Sequence, residues 1–391
     1  MPGNNFRAIR PSDQEFSQRL QRLQQSLPER NLAGLVAFSS YMEREGNVLY
    51  LTNHRTVFPP WASDVVRNGA GYSAVLVLPQ EGVTLFAPYR TDRDYLAQSV
   101  AEAVETLDFA GEIIRAMQRR LPGSGPLRIG LAGTDVMPTL IYRQLVANFP
   151  SVEWVAVDEL LTSLRMVKSP FEQERLLQAA WVADQGIEAA FLATKAGITE
   201  KEVALAVHQA CIRSGADHVV RIRMRAGGQV LEQGRWPMAT ENLLHEGDLI
   251  YMDLLGWVDN YVFDVARTWS VGPTSMEKEE LLAKSEELLD ETILALVSGR
   301  TGDEVVQAVG DLYKGTVWAP RYSPMGHGVG IECVENPWIM PKANIPLQPG
   351  MVFSLEPSFI SPGFGKGQQE DMVLLTDAGP KRFSQAPRYL R

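Results

Sequence analysis

Gly247-Asp248-Leu249-Ile250-Tyr251-Met252-Asp253 places an acid six residues after a turn glycine, and Gly350-Met351-Val352-Phe353-Ser354-Leu355-Glu356 repeats the pattern later in the chain. Both acids sit in apolar runs that read as buried strands, where a lone charge is costly. Such acids are expected to be paired with cations or bound to metal. Downstream, Asp264-Val265-Ala266-Arg267-Thr268 matches Glu370-Asp371-Met372-Val373-Leu374. Each half therefore supplies two strand-borne carboxylates, as two copies of one αβ unit sharing a site would. His327, in Met325-Gly326-His327-Gly328-Val329-Gly330, stands between glycines that allow close backbone approach. Four carboxylates and one imidazole can hold two divalent ions about 4 Å apart. Hard oxygen donors with one nitrogen suit Mn, Fe, Co or Zn and not a thiolate-type site.

The rest of the chain has the composition of an ordinary globular protein. Its 391 residues suggest two domains. Apolar residues make up 45% and charged residues 21%, which excludes a disordered or fibrous protein. The net charge of −10 leaves no electrostatic footprint for a phosphate backbone, so no nucleic-acid partner is expected. The apolar runs are too short to span a membrane. Two cysteines, Cys211 and Cys333, and a polar start at Met1-Pro2-Gly3-Asn4-Asn5 point to a reducing cytoplasm. Only His54, His208, His218, His245 and His327 are available for imidazole chemistry.

Strand and helix patterns alternate over the first half, which predicts an α/β domain. Strands are expected at Gly34–Phe38, Asn47–Leu51, Ala74–Leu78, Val83–Phe86, Leu127–Ala132 and Val152–Val157. Helices are expected after the capping box of Ser12 and Glu15, before Arg119-Arg120, and from Asp135 to Phe149. A boundary is expected near Lys168-Ser169-Pro170, where Ser169 and Glu172 form a second capping box and Pro170 takes the first helical position. Beyond it, helices at Pro170–Thr194, Thr199–Ser214, Met276–Val297 and Gly302–Tyr313 cluster between strand groups, an α+β pattern.

With Asp253, Asp264, His327, Glu356 and Glu370 in this order, the chain resembles the creatinase/prolidase/methionine-aminopeptidase, or pita-bread, superfamily of metallohydrolases. The resemblance implies a creatinase/aminopeptidase P-like N-terminal domain over residues 1–160, carried there by Asn47-Val48-Leu49-Tyr50-Leu51-Thr52. It implies a pita-bread catalytic domain with an internal pseudo-twofold repeat over residues 161–391. It further implies that Asp264 and Glu370 bridge two divalent metals, that Asp253 chelates one, and that His327 and Glu356 hold the other. Glu356 would also assist proton transfer to and from a metal-activated water, and a homodimer is implied.

The chain departs from the peptidases of that superfamily at two places. They carry a histidine shortly before the Gly-Asp turn, where this chain has Gly234-Arg235-Trp236-Pro237-Met238. They carry another after the metal-binding histidine, where Val334 stands in Cys333-Val334-Glu335-Asn336-Pro337. His218 and His245 are out of register as replacements. The expected function is thus hydrolysis of a C–N bond in a small substrate, by an Xaa-Pro peptidase/creatinase-like enzyme that is not a general peptidase. The alternatives are an elimination resembling that of the dimethylsulfoniopropionate lyases, which share the loss of both histidines, and a true Xaa-Pro dipeptidase or aminopeptidase. A non-catalytic scaffold is a further reading, against which stands the retention of all five ligands. Substrate contacts are expected from Arg235, Trp236, His218 and one of Arg221, Arg223 and Arg225, which alternate along one strand face. Arg55 and Trp61, in a proline-rich loop beside His54, are candidates for reaching a partner's site.

Overall fold

The computed structural model describes residues 12–42, 44–56, 71–88, 94–121, 127–227, 238–318, 324–361 and 365–388. Trp61, Arg235 and Trp236 lie outside them. The chain divides between Arg165 and Met166 into two compact units.

The first unit contains α1 (Asp13–Glu29), β1 (Gly34–Ser40), α2 (Gly46–Thr52), β2 (Tyr72–Val77), β3 (Val83–Ala87) and β4 (Val100–Glu105). It continues with α3 (Phe109–Arg120), β5 (Leu127–Ala132), α4 (Thr139–Asn148), β6 (Val152–Ala156) and α5 (Asp158–Met166). Its six strands form one mixed sheet in the order β4-β3-β2-β1-β5-β6. Phe38, Leu76, Phe86, Phe109, Ile113, Met117 and Leu131 form the core between sheet and helices. This is the expected α/β domain, with one correction. Asn47–Leu51 is not a strand but most of α2, buried throughout. A short apolar run surrounded by protein carries no period that separates strand from helix. Tertiary contacts decide: Asn47 Nδ2 donates to Phe38 O at 3.1 Å, the Val48 amide donates to Ser39 Oγ at 3.0 Å, and Asn53 closes the helix with a left-handed φ of 60°.

The second unit opens with α6 (Pro170–Ala193) and α7 (Glu200–Arg213), each started by a complete capping box, at Ser169/Glu172 and Thr199/Glu202. Three long strands follow: β7 (His218–Ala226), β8 (Leu249–Val258) and β9 (Tyr261–Ser270). They form an antiparallel sheet in that order. The pattern then recurs. Helices α8 (Met276–Ala295) and α9 (Gly302–Leu312) precede β10 (Gly326–Gly328), β11 (Glu335–Ile339), β12 (Val352–Leu355), β13 (Ser358–Ser361), β14 (Gly365–Gln368), β15 (Asp371–Thr376) and β16 (Gly379–Arg382). The second sheet runs β11-β10-β12-β15-β16, and β13 pairs with β14 as a hairpin. Helix pair followed by antiparallel strands thus occurs twice, with β8 answering β12 and β9 answering β15. Leu281, Leu288, Leu289, Val305, Val309, Phe353 and Val373 fill the core beneath the second repeat.

The two sheets meet where β9 faces the start of β15. The Glu370 amide donates to Ala266 O at 2.9 Å. Arg267, fully buried, donates from Nη2 to Asp371 Oδ1 at 2.8 Å and from Nε to Pro387 O at 3.1 Å. A second arginine, Arg388, reaches Asp371 Oδ2 at 3.2 Å. Asp371 is thereby neutralised and the backbone beside Glu370 is held from behind.

Candidate metal centre

Cross-strand register explains which side chains converge. Asp253 on β8 lies opposite Arg223 on β7 and Ala266 on β9, while Asp264 lies opposite Leu255. Residues two apart on a strand share a face, so Arg221, Arg223, Tyr251, Asp253 and Asp264 all belong to the sheet face turned toward the second repeat. From that repeat come His327 on β10, Glu356 just past β12 and Glu370 just before β15.

His327 is flanked by glycines because both neighbouring strands are too near for a side chain. A Cβ at Gly326 would stand 2.6 Å from Ser354 O, and one at Gly328 would stand 2.5 Å from Asn336 O. The ring's Nδ1 lies 3.0 Å from Gly328 O. A carbonyl can only accept, so the proton belongs on Nδ1 and the lone pair of Nε2 faces the carboxylates. Nε2 is 3.8 Å from Asp264 Oδ2 and 3.9 Å from Glu356 Oε1. Trp338 packs edge-on against the ring at 5.7 Å.

Asp264, His327 and Glu370 each offer a ligand atom, all mutually within 4.8 Å, and all three residues are buried. Ser354 Oγ joins the two sheets at this point, lying 2.6 Å from Asp264 O and 2.9 Å from Glu370 Oε1. Glu356 stands on the open side, with 24% of its side chain exposed, and accepts from Gln368 Nε2 at 3.2 Å. Asp253 accepts from Arg223 Nη1 at 3.3 Å.

Burial pushes the carboxyls of Asp264 and Glu370 well above the ordinary carboxylate range, and repulsion from the neighbouring acids pushes the same way. Burial likewise raises Asp253 and Glu356, partly countered by Arg223 at the first and Lys366 at the second. Four acids gathered without enough cations are a donor set in need of positive charge. Oxygen donors with one imidazole fit divalent ions, so the residues present suit a metal centre. The same shifts set a sign. In the metal-free protein the folded state holds protons more tightly than the unfolded chain, so acidification from neutral pH stabilises it at this cluster. Metal uptake must expel those protons. Calorimetric metal titrations at neutral pH, repeated in buffers of different ionisation enthalpy, are expected to show net proton release. Affinity is expected to fall as the pH is lowered.

Besides Ser354, four residues of this site were not anticipated. Cys333 donates from Sγ to Asp264 Oδ2 at 3.1 Å, and burial with the adjacent acid holds its thiol well above the usual range. Lys366, on the β13–β14 hairpin, places Nζ 5.0 Å from the centre of the Tyr251 ring. Tyr251 itself is buried against the carboxylates. Gln368 completes the set. In sequence only the isolated lysine of Gly365-Lys366-Gly367, four positions before Glu370, could have signalled the hairpin's part in the site.

Of the remaining imidazoles in this unit, His218 stacks on Trp257 with ring centres 5.6 Å apart, His245 stands exposed beside Asp248 with Nδ1 3.4 Å from Oδ2, and His208 is exposed on α7. In the first unit, His54 is buried and its pKa is lowered to about 4 by that burial, and Arg55 pairs with Glu45 at 2.5 Å.

Comparison with known proteins decides the family. The sequence profile of metallopeptidase family M24 matches residues 174–377, just over half of the 391 residues. This chain belongs to metallopeptidase family M24. The profile of the creatinase/prolidase N-terminal domain matches residues 19–167, so this M24 protein has the two-domain architecture of the creatinases and prolidases. An Xaa-Pro dipeptidase of Pyrococcus furiosus is 29% identical over 259 residues, covering 64% of this chain and 73% of that one. The probable dipeptidase PepE of Mycobacterium tuberculosis is 27% identical over 377 residues, covering 96% of each. Among solved structures, an Xaa-Pro dipeptidase from Bacillus anthracis superposes with a TM-score of 0.80 at 21% identity, over 96% of this chain and all of that one. At that identity the superposition shows the fold. No helix among the described residues is long and apolar enough to cross a membrane.

Proposed function

We propose that this M24 protein is a dinuclear-metal hydrolase that cleaves a C–N bond in a small substrate and turns over ordinary Xaa-Pro peptides poorly. The grouping of Asp264, His327 and Glu370, with Glu356 Oε1 3.9 Å from His327 and Asp253 in the field of Asp264, supports this reading. Asp264 and Glu370, the most enclosed acids, would bridge two ions of Mn, Fe, Co or Zn. Asp253 would hold one of them, and His327 with Glu356 the other. Bound metal would supply Lewis acidity and lower the pKa of water. Glu356, the exposed carboxylate of the set, would take and return a proton at its Oε atoms. Ser354 would orient Glu370, and Arg223 would orient Asp253.

Several relatives carry the name dipeptidase, which makes hydrolysis the favoured chemistry. The reservation about peptides comes from this chain's own residues. His327 is the only imidazole of its unit beside the carboxylates, and Val334, with 37% of its surface exposed, offers no hydrogen bond. A substrate screen on metal-loaded protein in ¹⁸O-water tests the proposal. Label appearing in product, lost on chelation, is the expected result. Product formed without label would replace hydrolysis by elimination.

Creatinase-like and catalytic domains over residues 1–160 and 161–391, a reducing cytoplasm and a homodimer belong to the same proposal. The two free cysteines agree with that compartment. Light scattering is expected to give about twice the 43.4 kDa chain mass. A monomer with full activity would remove Arg55 and Trp61 from any role in a partner's site.

A further inference from the structure

We infer that Arg221, Arg223 and Lys366 form an anion seat on the open side of the carboxylate–histidine cluster, and that the substrate of this enzyme is a small acid, held most tightly as a dianion. The inference rests on the metal-hydrolase reading above and goes on to name the substrate's charge.

Placement comes first. Arg221 and Arg223 are two apart on β7 and lie opposite Leu255 and Asp253, so both guanidinium groups leave the strand on the site face. Arg223 reaches Asp253, and 17% of its side chain remains exposed. Arg221 acts electrostatically on Asp253, Asp264 and Cys333, and its Nε is buried with no hydrogen-bond partner among the described residues. Lys366 approaches from the other repeat, over Tyr251, within the field of Glu356, Glu370 and Asp253. Arg223 and Lys366 also repel one another. Two sheets therefore bring three cations to the place where four acids already stand.

Charge balance shows why this matters. Metal binding requires all four acids ionised, and four acids, three bases and two divalent ions then give −4 + 3 + 4 = +3. An enclosed excess of that size is unfavourable unless anions enter. A hydroxide would remove one unit and leave two, which a substrate with two carboxylates would neutralise. A guanidinium on the seat can bind a carboxylate through two hydrogen bonds, giving orientation as well as attraction. Glu356, Arg223 and Lys366 retain surface, whereas Asp264, His327 and Glu370 are buried, so an entering molecule meets two cations and one acid before the enclosed groups. A neutral substrate would leave the seat's charge uncompensated.

Succinate, succinamate and succinamide have nearly one shape and charges of −2, −1 and 0, which makes them the probes. Their affinities for metal-loaded protein are measured by calorimetry, with bound metal counted by elemental analysis in the same samples. Affinity is expected to rise at least tenfold with each carboxylate. Arg221→Gln and Lys366→Gln should each flatten the series by tenfold or more while keeping the metal content, and Arg221→Lys should restore part of it. Chelated wild-type protein, without the four positive charges of two divalent ions, should lose the preference for the dianion. A flat series in metal-loaded wild-type protein would overturn the proposal. So would a steep series left unchanged in both glutamine variants, since the metals alone would then be attracting the carboxylates. Failure of the hydrolase reading looks different: elemental analysis of wild-type protein would find no bound metal.

Discussion

Replacing Glu370 or Asp264 by alanine is expected to remove both metal ions at once, whereas Asp253→Ala should remove about one. The reason is position. Glu370 feels the charges of Asp264, Glu356 and Asp253, and Asp264 feels those of Asp253 and Glu356. A carboxylate at the centre of such a cluster serves both halves of the site. The expected stoichiometry by elemental analysis is near two per chain for wild type and near zero for Glu370→Ala. Thermal unfolding supplies an independent reading. Metal at a hundredfold excess over its Kd should stabilise the wild-type fold by about 2.7 kcal/mol, and that gain should vanish in the variant. Without metal the sign reverses, because removing one of four crowded buried acids relieves repulsion. Chelated Glu370→Ala should then melt no lower than chelated wild type. Two ions retained by Glu370→Ala would overturn the bridging assignment.

Peptidase activity on Xaa-Pro substrates is expected to fall several orders of magnitude short of that of an M24 peptidase with its full set of histidines. Loss of one donor to a developing oxyanion commonly costs about 10²–10³ in rate, or roughly 3–4 kcal/mol. On the proposed reading, two imidazoles would be missing. Val334 carries no polar atom, and Cys333 beside it turns its weak thiol donor toward Asp264. His218 is held against Trp257, four positions along β8 from Asp253. His245 sits at an exposed turn. Val334→His alone should recover little, because groups that act as a unit give non-additive losses. Steady-state kinetics on Xaa-Pro dipeptides with metal-loaded wild type, Val334→His and His327→Ala check this. Robust cleavage by the wild type, abolished in His327→Ala, would establish the chain as an ordinary Xaa-Pro peptidase.

The four acids and His327 were legible in the sequence because their setting is local. An acid six residues after a turn glycine in an apolar strand, or a histidine between two glycines, declares its environment within a few residues. The capping boxes at Ser169 and Thr199 are local in the same way, so the starts of α6 and α7 could be placed from them. Asn47–Leu51 could not, since a buried apolar run has no exposed face to set its period, and contacts with Phe38 and Ser39 made it helical. The alternation of Arg221, Arg223 and Arg225 showed that they share a face, but not which face.

The amino-acid sequence by itself carried the resemblance to the family and the proposal of which groups would hold metal, both of which rest on short-range patterning. Only the tertiary structure decided which charges meet. Lys366 is more than a hundred residues from Tyr251, and Cys333 is 69 residues from Asp264. Each pair is brought together by the packing of one repeat's sheet against the other's. Electrostatic energy depends on distance through space and on burial, not on separation along the chain. For that reason the net charge of the centre, and with it the kind of substrate it can accept, becomes readable only once the two sheets have met.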